Sequence, residues 1–282
     1  MQYSEDRFNG AGGATIHFQY WLPDADARAV ILIAHGAAEH GGRYQPFAEH
    51  FTERGYAVAA LDQFGHGRSD GGRCCMRSMD DHLYNFAQFR QRMTERLPGL
   101  PLVLLGHSMG GLIACLLLLQ EQDKYVACVL SGAAIKTPMQ PPAWQLVLLK
   151  LLSRLAPNLG VMQLDASGVS RDQAVVEDYI RDPLNHRGKM TARMVVELFR
   201  GMQVVQQRAA EIHLPLLILH GGADAMTSAE GSEFLHNHAG SKDRALSIYP
   251  GLYHEIFNEP ERLQVYSDVE SWLSQRLGGP SA

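Results

Sequence analysis

The chain has 282 residues, 46% of them hydrophobic, and carries 25 Lys and Arg against 30 Asp and Glu for a formal net charge of −5. That composition suits a large globular core and excludes a disordered or fibrous chain. With no basic run, it also argues against a nucleic-acid partner, because such binding rests on clustered positive charge. The first six residues, Met-Gln-Tyr-Ser-Glu-Asp, are polar and acidic where a signal peptide needs a basic start and an apolar core, so a cytoplasmic protein is expected. The longest strongly apolar stretches, 112–119 and 146–152, fall short of a membrane span. Cys74, Cys75, Cys115 and Cys128 follow no C-x-x-C spacing and read as reduced thiols.

In chain order, 15–21 alternates apolar and polar residues and reads as an antiparallel edge strand. The run 29–34 is apolar throughout, as a strand covered on both faces must be, and stops at a glycine-rich loop beginning His35-Gly36-Ala37-Ala38-Glu39-His40. A helix over 44–54 and a strand over 57–61 follow, then a second glycine-rich turn from Asp62 to Gly71. Residues 80–97 form a helix pattern with Asp80 and Asp81 near its start and Pro98 after its end. A strand over 101–105, a helix over 112–120 and a strand over 126–130 continue the alternation, which implies an α/β fold with a mostly parallel central sheet flanked by helices.

From Thr137 to His213 the alternation lapses. Pro138, Pro141 and Pro142 open the segment, helix patterns cover 144–155, 172–180 and 191–207, and no strand is evident. We read 137–213 as a helical cap inserted into a core made of 1–136 and 214–282. The alternation resumes with a strand over 215–219, a helix over 229–238, a strand over 245–249 and a helix over 260–276, before a tail at 278–282.

The chemistry centres on Gly106-His107-Ser108-Met109-Gly110, where an apolar strand pattern ends and a helix pattern begins. G-x-S-x-G in that setting is a nucleophile elbow, with the glycines there because side chains would clash with the neighbouring strand or helix. A serine needs a base to take its proton and a third group to orient that base. Parallel sheets gather such groups at the carboxyl ends of their strands. Two later strand ends offer them: His220-Gly221-Gly222-Ala223-Asp224 and Pro250-Gly251-Leu252-Tyr253-His254-Glu255. Ser108 is thus the candidate nucleophile, His254 the base and Asp224 its orienting acid. Asp62, also just past a strand, competes with Asp224 but could simply bond nearby backbone. The backbone N–H groups of Ala37 and Met109 are the candidate oxyanion-hole donors. His107 should point away from Ser108, and His236 and His238 read as solvated.

These motifs, together with Arg43-Tyr44 and Asn258-Glu259, resemble the monoglyceride lipase and lysophospholipase-like group of the α/β-hydrolase family, over almost the whole chain. The serine, aspartate, histidine order matches that family. The resemblance implies an α/β-hydrolase fold with a helical cap over an acyl-binding channel, and a serine ester hydrolase acting on monoacylglycerols. A lysophospholipase or a general short-to-medium-chain carboxylesterase is the alternative. Ala38 departs from the group, in which glycine is common at this position.

Glu39, His40 and Arg43 either help bind a glycerol-like head group, or Glu39 and Arg43 pair to brace the loop. Trp144, Leu148, Leu151, Leu152 and Leu155 share a helical face, with Leu146 and Leu149 off it, so the helix is either packed on its own domain or makes transient contact with a membrane or micelle surface. Met139, Met162, Met190, Met194 and Met202 supply adaptable apolar surface for acyl chains or for core. No cofactor and no metal are expected: H-E-x-x-H and the dinucleotide glycine signature are absent. A non-catalytic ligand-binding protein on the same fold is expected to lack a triad member, and all three residue types are present. The oligomeric state is left open.

Overall fold

The computed structural model describes residues 1–138 and 142–277, so the expectations for Met139, Pro141 and the tail at 278–282 lie outside the described residues. Eight strands form the main sheet: β1 (Gln2–Asn9), β2 (Thr15–Leu22), β3 (Ala29–Ala34), β4 (Tyr56–Leu61), β5 (Leu102–His107), β6 (Ala127–Ser131), β9 (Leu216–Gly221) and β10 (Arg244–Tyr249). Two more, β7 (Gly160–Gln163) and β8 (Lys189–Thr191), form a separate antiparallel ribbon. The helices are α1 (Gln45–Thr52), α2 (Met79–Arg96), α3 (Met109–Glu121), α4 (Ala143–Leu155), α5 (Gln173–Arg181), α6 (Ala192–Arg208), α7 (Ala229–His238) and α8 (Arg262–Leu277).

The main sheet runs β1-β2-β4-β3-β5-β6-β9-β10. Only the pairs β1/β2 and β2/β4 are antiparallel; the rest are parallel. Period-two alternation survives inside the wholly apolar central strands. Val30 and Leu32 of β3 face one core with α2, α3 and α6, while Ile31 and Ile33 face another with α1 and α8. Helix α3 is buried on every side because α6 covers the face it turns away from the sheet, which explains how a sequence apolar around its whole circumference can form a helix there.

Two features of the structure depart from what the sequence predicts. β2 is antiparallel, as its alternation implies, but it is not an edge: β1 lies outside it. β1 escapes notice because an edge strand packs on one side only, and its sequence, Gln-Tyr-Ser-Glu-Asp-Arg-Phe-Asn, leaves Phe8 as its only buried residue. The segment between β6 and β9 is also not free of strands. Its ribbon, β7 with β8, is four residues against three and mostly half-exposed or exposed, too short to show an alternating pattern.

Between β6 and β9 the chain leaves the main sheet; α4 packs on α6, and α6 on α3. Among the described residues no helix is long and apolar enough to cross a membrane.

Candidate active site

Ser108 stands at the turn from β5 into α3 with φ 53° and ψ −118°, left-handed backbone that a non-glycine residue adopts only under constraint. The constraint comes from both sides. A Cβ on Gly106 would lie 2.5 Å from the Gly110 carbonyl oxygen and 2.7 Å from Gly111 Cα, and one on Gly110 would lie 1.9 Å from the Ala34 carbonyl oxygen. Strand, turn and helix are therefore pressed together as closely as backbone allows. The Ser108 N–H donates to Ser131 O (3.0 Å) and its carbonyl accepts from Ala134 N (3.0 Å), which fixes the turn against β6.

Asp224 follows β9 and His254 follows β10, so both lie past the carboxyl ends of neighbouring strands. His254 Nδ1 donates to Asp224 Oδ2 at 2.6 Å, and the carboxylate is fully shielded from solvent. Asp224 Oδ1 accepts from the N–H groups of Met226 (2.7 Å) and Thr227 (3.0 Å). Burial alone would push the Asp224 pKa up; the His254 charge and the hydrogen bonds from His220, His254 and Thr227 overcome it and hold the carboxyl far below its ordinary range. Burial likewise opposes charge on His254, but Asp224, then Glu255 and Glu39, outweigh it and hold the imidazole above its ordinary value. The ring lies between His107, with centroids 4.7 Å apart, and Gly132, whose missing side chain leaves room for it.

Ser108 and His254 line the same two cavities. One of these, about 90 Å³, is walled by Met109, Met162, Val195, Leu198 and Met202 and is almost wholly apolar. It adjoins an open cleft of about 1180 Å³ beneath α4, with which it shares Met162, Leu164, Val195, Phe199 and Met226. Ala37 and Met109 both line the cavity of about 90 Å³, and among the described residues neither N–H has a protein acceptor. Asp62 lies elsewhere in the network: its carboxylate accepts from Gly41 N (2.8 Å), Arg68 N (2.8 Å) and His17 Nδ1 (3.1 Å), the backbone-bonding role open to an aspartate in a turn.

The family model for "Serine aminopeptidase, S33" matches residues 25–261. The monoacylglycerol lipase of Mycolicibacterium smegmatis is 42% identical over 97% of this chain and 98% of its own. Human monoglyceride lipase is 33% identical over 94% of this chain and 89% of its own. The crystal structure of Paleococcus ferrophilus monoacylglycerol lipase superimposes with a TM-score of 0.82 at 29% identity, covering 98% of this chain and all of that one. The chain belongs to the monoglyceride lipase-like α/β-hydrolases.

This hydrolase is a serine ester hydrolase, and part of its site is invisible to motif reading. Thr227 donates its hydroxyl to Asp224 Oδ2 (2.8 Å) and lies 3.4 Å from His254 Nδ1; His220 Nε2 lies 3.2 Å from the same carboxylate oxygen. An Asp with Thr three residues on is a local turn signal that could have marked Thr227. The hydrolase also buries a bridge that joins two loops. Arg43 donates Nη1 and Nη2 to Glu255, each at 2.6 Å, and Nη1 also to Glu39 Oε2 at 3.0 Å. Of the two readings of Glu39 and Arg43, the geometry favours bracing. His107 points to β6, its Nδ1 bonding Ser131 O (3.0 Å), and burial beside His254 lowers its pKa to about 4. His238 is exposed and bonds Phe234 O; His236 is only half-exposed. The four cysteines are free thiols.

Proposed function

We propose that this hydrolase cleaves monoacylglycerols to free fatty acid and glycerol through an acyl-enzyme on Ser108. Ser108 Oγ attacks the ester carbonyl carbon while His254 Nε2, left free by the Nδ1 bond to Asp224, takes the hydroxyl proton. The carbonyl oxygen becomes an oxyanion that accepts from the N–H groups of Ala37 and Met109, each donor contributing about 3 kcal/mol to the transition state. His254 passes its proton to the glycerol oxygen as the carbon–oxygen bond breaks. Water, deprotonated by His254, then attacks the acyl-serine, and the fatty acid leaves with Ser108 reprotonated. No metal and no cofactor enters these steps.

The observation that carries the substrate class is the apolar cavity opening on Ser108 and Met109 and adjoining the wide cleft under α4. A flexible acyl chain fits a lining rich in methionine and branched residues, which adapts its shape. The full-length likeness to proteins named monoacylglycerol lipase supports the same choice. In this reading 137–213 is the cap that builds the acyl site, and 1–136 with 214–282 the core that bears the triad. The outer face of α4 further suits transient contact with membrane or micelle surfaces, where such substrates reside, by an otherwise cytoplasmic protein: Trp144, Val147, Leu151 and Leu155 are more than half exposed.

The test is hydrolysis by wild type and Ser108→Ala of monoacylglycerols of short, medium and long chain, a lysophosphatidylcholine and p-nitrophenyl esters. Preference of wild type for monoacylglycerols, with the variant inactive, is the expected result. Cleavage of activated short esters alone would remove the lipid assignment, and preference for the lysophospholipid would replace it.

A further inference from the structure

The loop that carries Ala37 is held from the cap. Ala38 has φ 66°, a left-handed conformation in a residue with a side chain, and such a conformation persists only when its surroundings over-determine it. Here the surroundings are two donors on one oxygen: the Ala38 carbonyl accepts from Tyr179 Oη at 3.1 Å and from the His186 N–H at 2.9 Å. A third tether joins His40 Nε2 to Asp182 Oδ2 at 2.8 Å. All three partners come from one stretch of chain, the end of α5 and the residues after it. On the other side of Ala37, the Gly36 N–H is fixed by Glu39 Oε1 at 2.6 Å, with Tyr44 Oη on the same oxygen at 3.0 Å. The Ala37 N–H therefore lies between two clamped peptides, one held from the core and one from the cap.

We infer that Tyr179 is a positioning residue of the hydrolase: its hydroxyl, by holding the Ala38 carbonyl, sets the direction of the neighbouring Ala37 N–H toward the developing oxyanion. The inference rests on the proposed role of Ser108 and the Ala37 amide. It gives the cap a second task beyond enclosing the acyl chain. Tyr179 also lines one of the cavities that Ser108 and His254 share, and the Arg43 guanidinium lies over its ring, 4.8 Å from the ring centroid, so the cap segment touches the oxyanion loop and the buried bridge together. The oxyanion loop reaches its transition-state geometry only with α5 seated.

Tyr179→Phe tests this, because it keeps the ring and its stacking on Arg43 and removes only the O–H. Expected is a fall in kcat of about tenfold with KM little changed, a fraction of the roughly hundred- to thousandfold loss that follows removal of a whole donor. Affinity for a trifluoromethyl ketone, which forms a tetrahedral adduct with the serine, should fall by the same factor, while affinity for the product fatty acid stays. A variant with wild-type kcat and ketone affinity overturns the inference. So does a loss shared equally by KM, ketone and fatty acid, which would make Tyr179 a wall of the pocket and no more. A ketone that fails to inhibit wild type overturns the Ser108 reading and the inference with it. Should Tyr179→Phe not fold, Asp182→Ala frees the same segment from His40 at a half-exposed edge and is expected to give the same kcat and ketone pattern in milder form.

Discussion

Arg43 reaches across 212 residues of chain to grip Glu255 with both arms of its guanidinium, 2.6 Å at each. Glu255 is the residue after His254, and Arg43 also holds Glu39, so the bridge ties the histidine loop to the loop that carries Ala37. Burial would raise the Glu255 pKa, but Arg43 lowers it to about 2. Removing the cation strands two buried carboxylates. Arg43→Met should therefore cost about 3–5 kcal/mol in urea unfolding. Adding Glu255→Gln to Arg43→Met should recover part of it. A single variant as stable as wild type would mean the bridge is not a support.

Under the proposed mechanism the pH profile of kcat/KM is set by the His254–Asp224 pair. A base must be neutral to accept the serine proton, and this imidazole is held above its ordinary value of 6.5. Activity should rise with pH through a midpoint above that value. Asp224→Asn removes the largest charge that opposes burial, leaving only the weaker pull of Glu255 and Glu39, so the midpoint should move down. The rate should fall by about 10⁴ as the imidazole loses its fixed tautomer. An unmoved midpoint would detach Asp224 from the histidine.

Gly110→Ala should be among the most damaging single-methyl changes, since the added Cβ would meet the Ala34 carbonyl oxygen at 1.9 Å and the His35 carbonyl oxygen at 2.6 Å, both backbone. Thermal unfolding should show a loss beyond the roughly 1–3 kcal/mol usual for overpacking. Gly72→Ala, where only the flexible Cys75 side chain lies near, is the control expected to cost far less.

What the sequence discloses and what it hides follow one physical line. β3 and β5 are legible because a strand buried on both faces must be apolar along its run, and the turns after β5 and β9 because glycine and polar residues interrupt such runs. β1 is hidden because an exposed edge strand needs little apolar surface, and the ribbon of β7 and β8 because so few residues carry no period. Ser108 stands out through its glycines. Thr227 is marked only by its spacing from Asp224, and His220 by nothing, since its contact with the carboxylate arises only once the Asp224 turn has formed. The Glu39–Arg43 half of the bridge is four residues apart and readable; the Glu255 half depends on the fold bringing distant loops together.

The exposed face of α4 makes a separable prediction. Trp144, Leu148, Leu151 and Leu155 are 65, 48, 51 and 76% exposed, so replacing Trp144 and Leu151 by Ser should cost little stability. Co-sedimentation with phosphatidylcholine vesicles should weaken, while hydrolysis of a soluble p-nitrophenyl ester stays at the wild-type rate. Vesicle binding equal to wild type would remove α4 from the membrane account.

The most direct test is to treat the enzyme with a fluorophosphonate, locate the phosphonyl group by peptide mass spectrometry and follow monoacylglycerol hydrolysis as labelling proceeds. A single group on Ser108, with hydrolysis lost in proportion to its occupancy, is the predicted result. A label on another residue that abolishes hydrolysis, or full hydrolysis with Ser108 completely labelled, would contradict it.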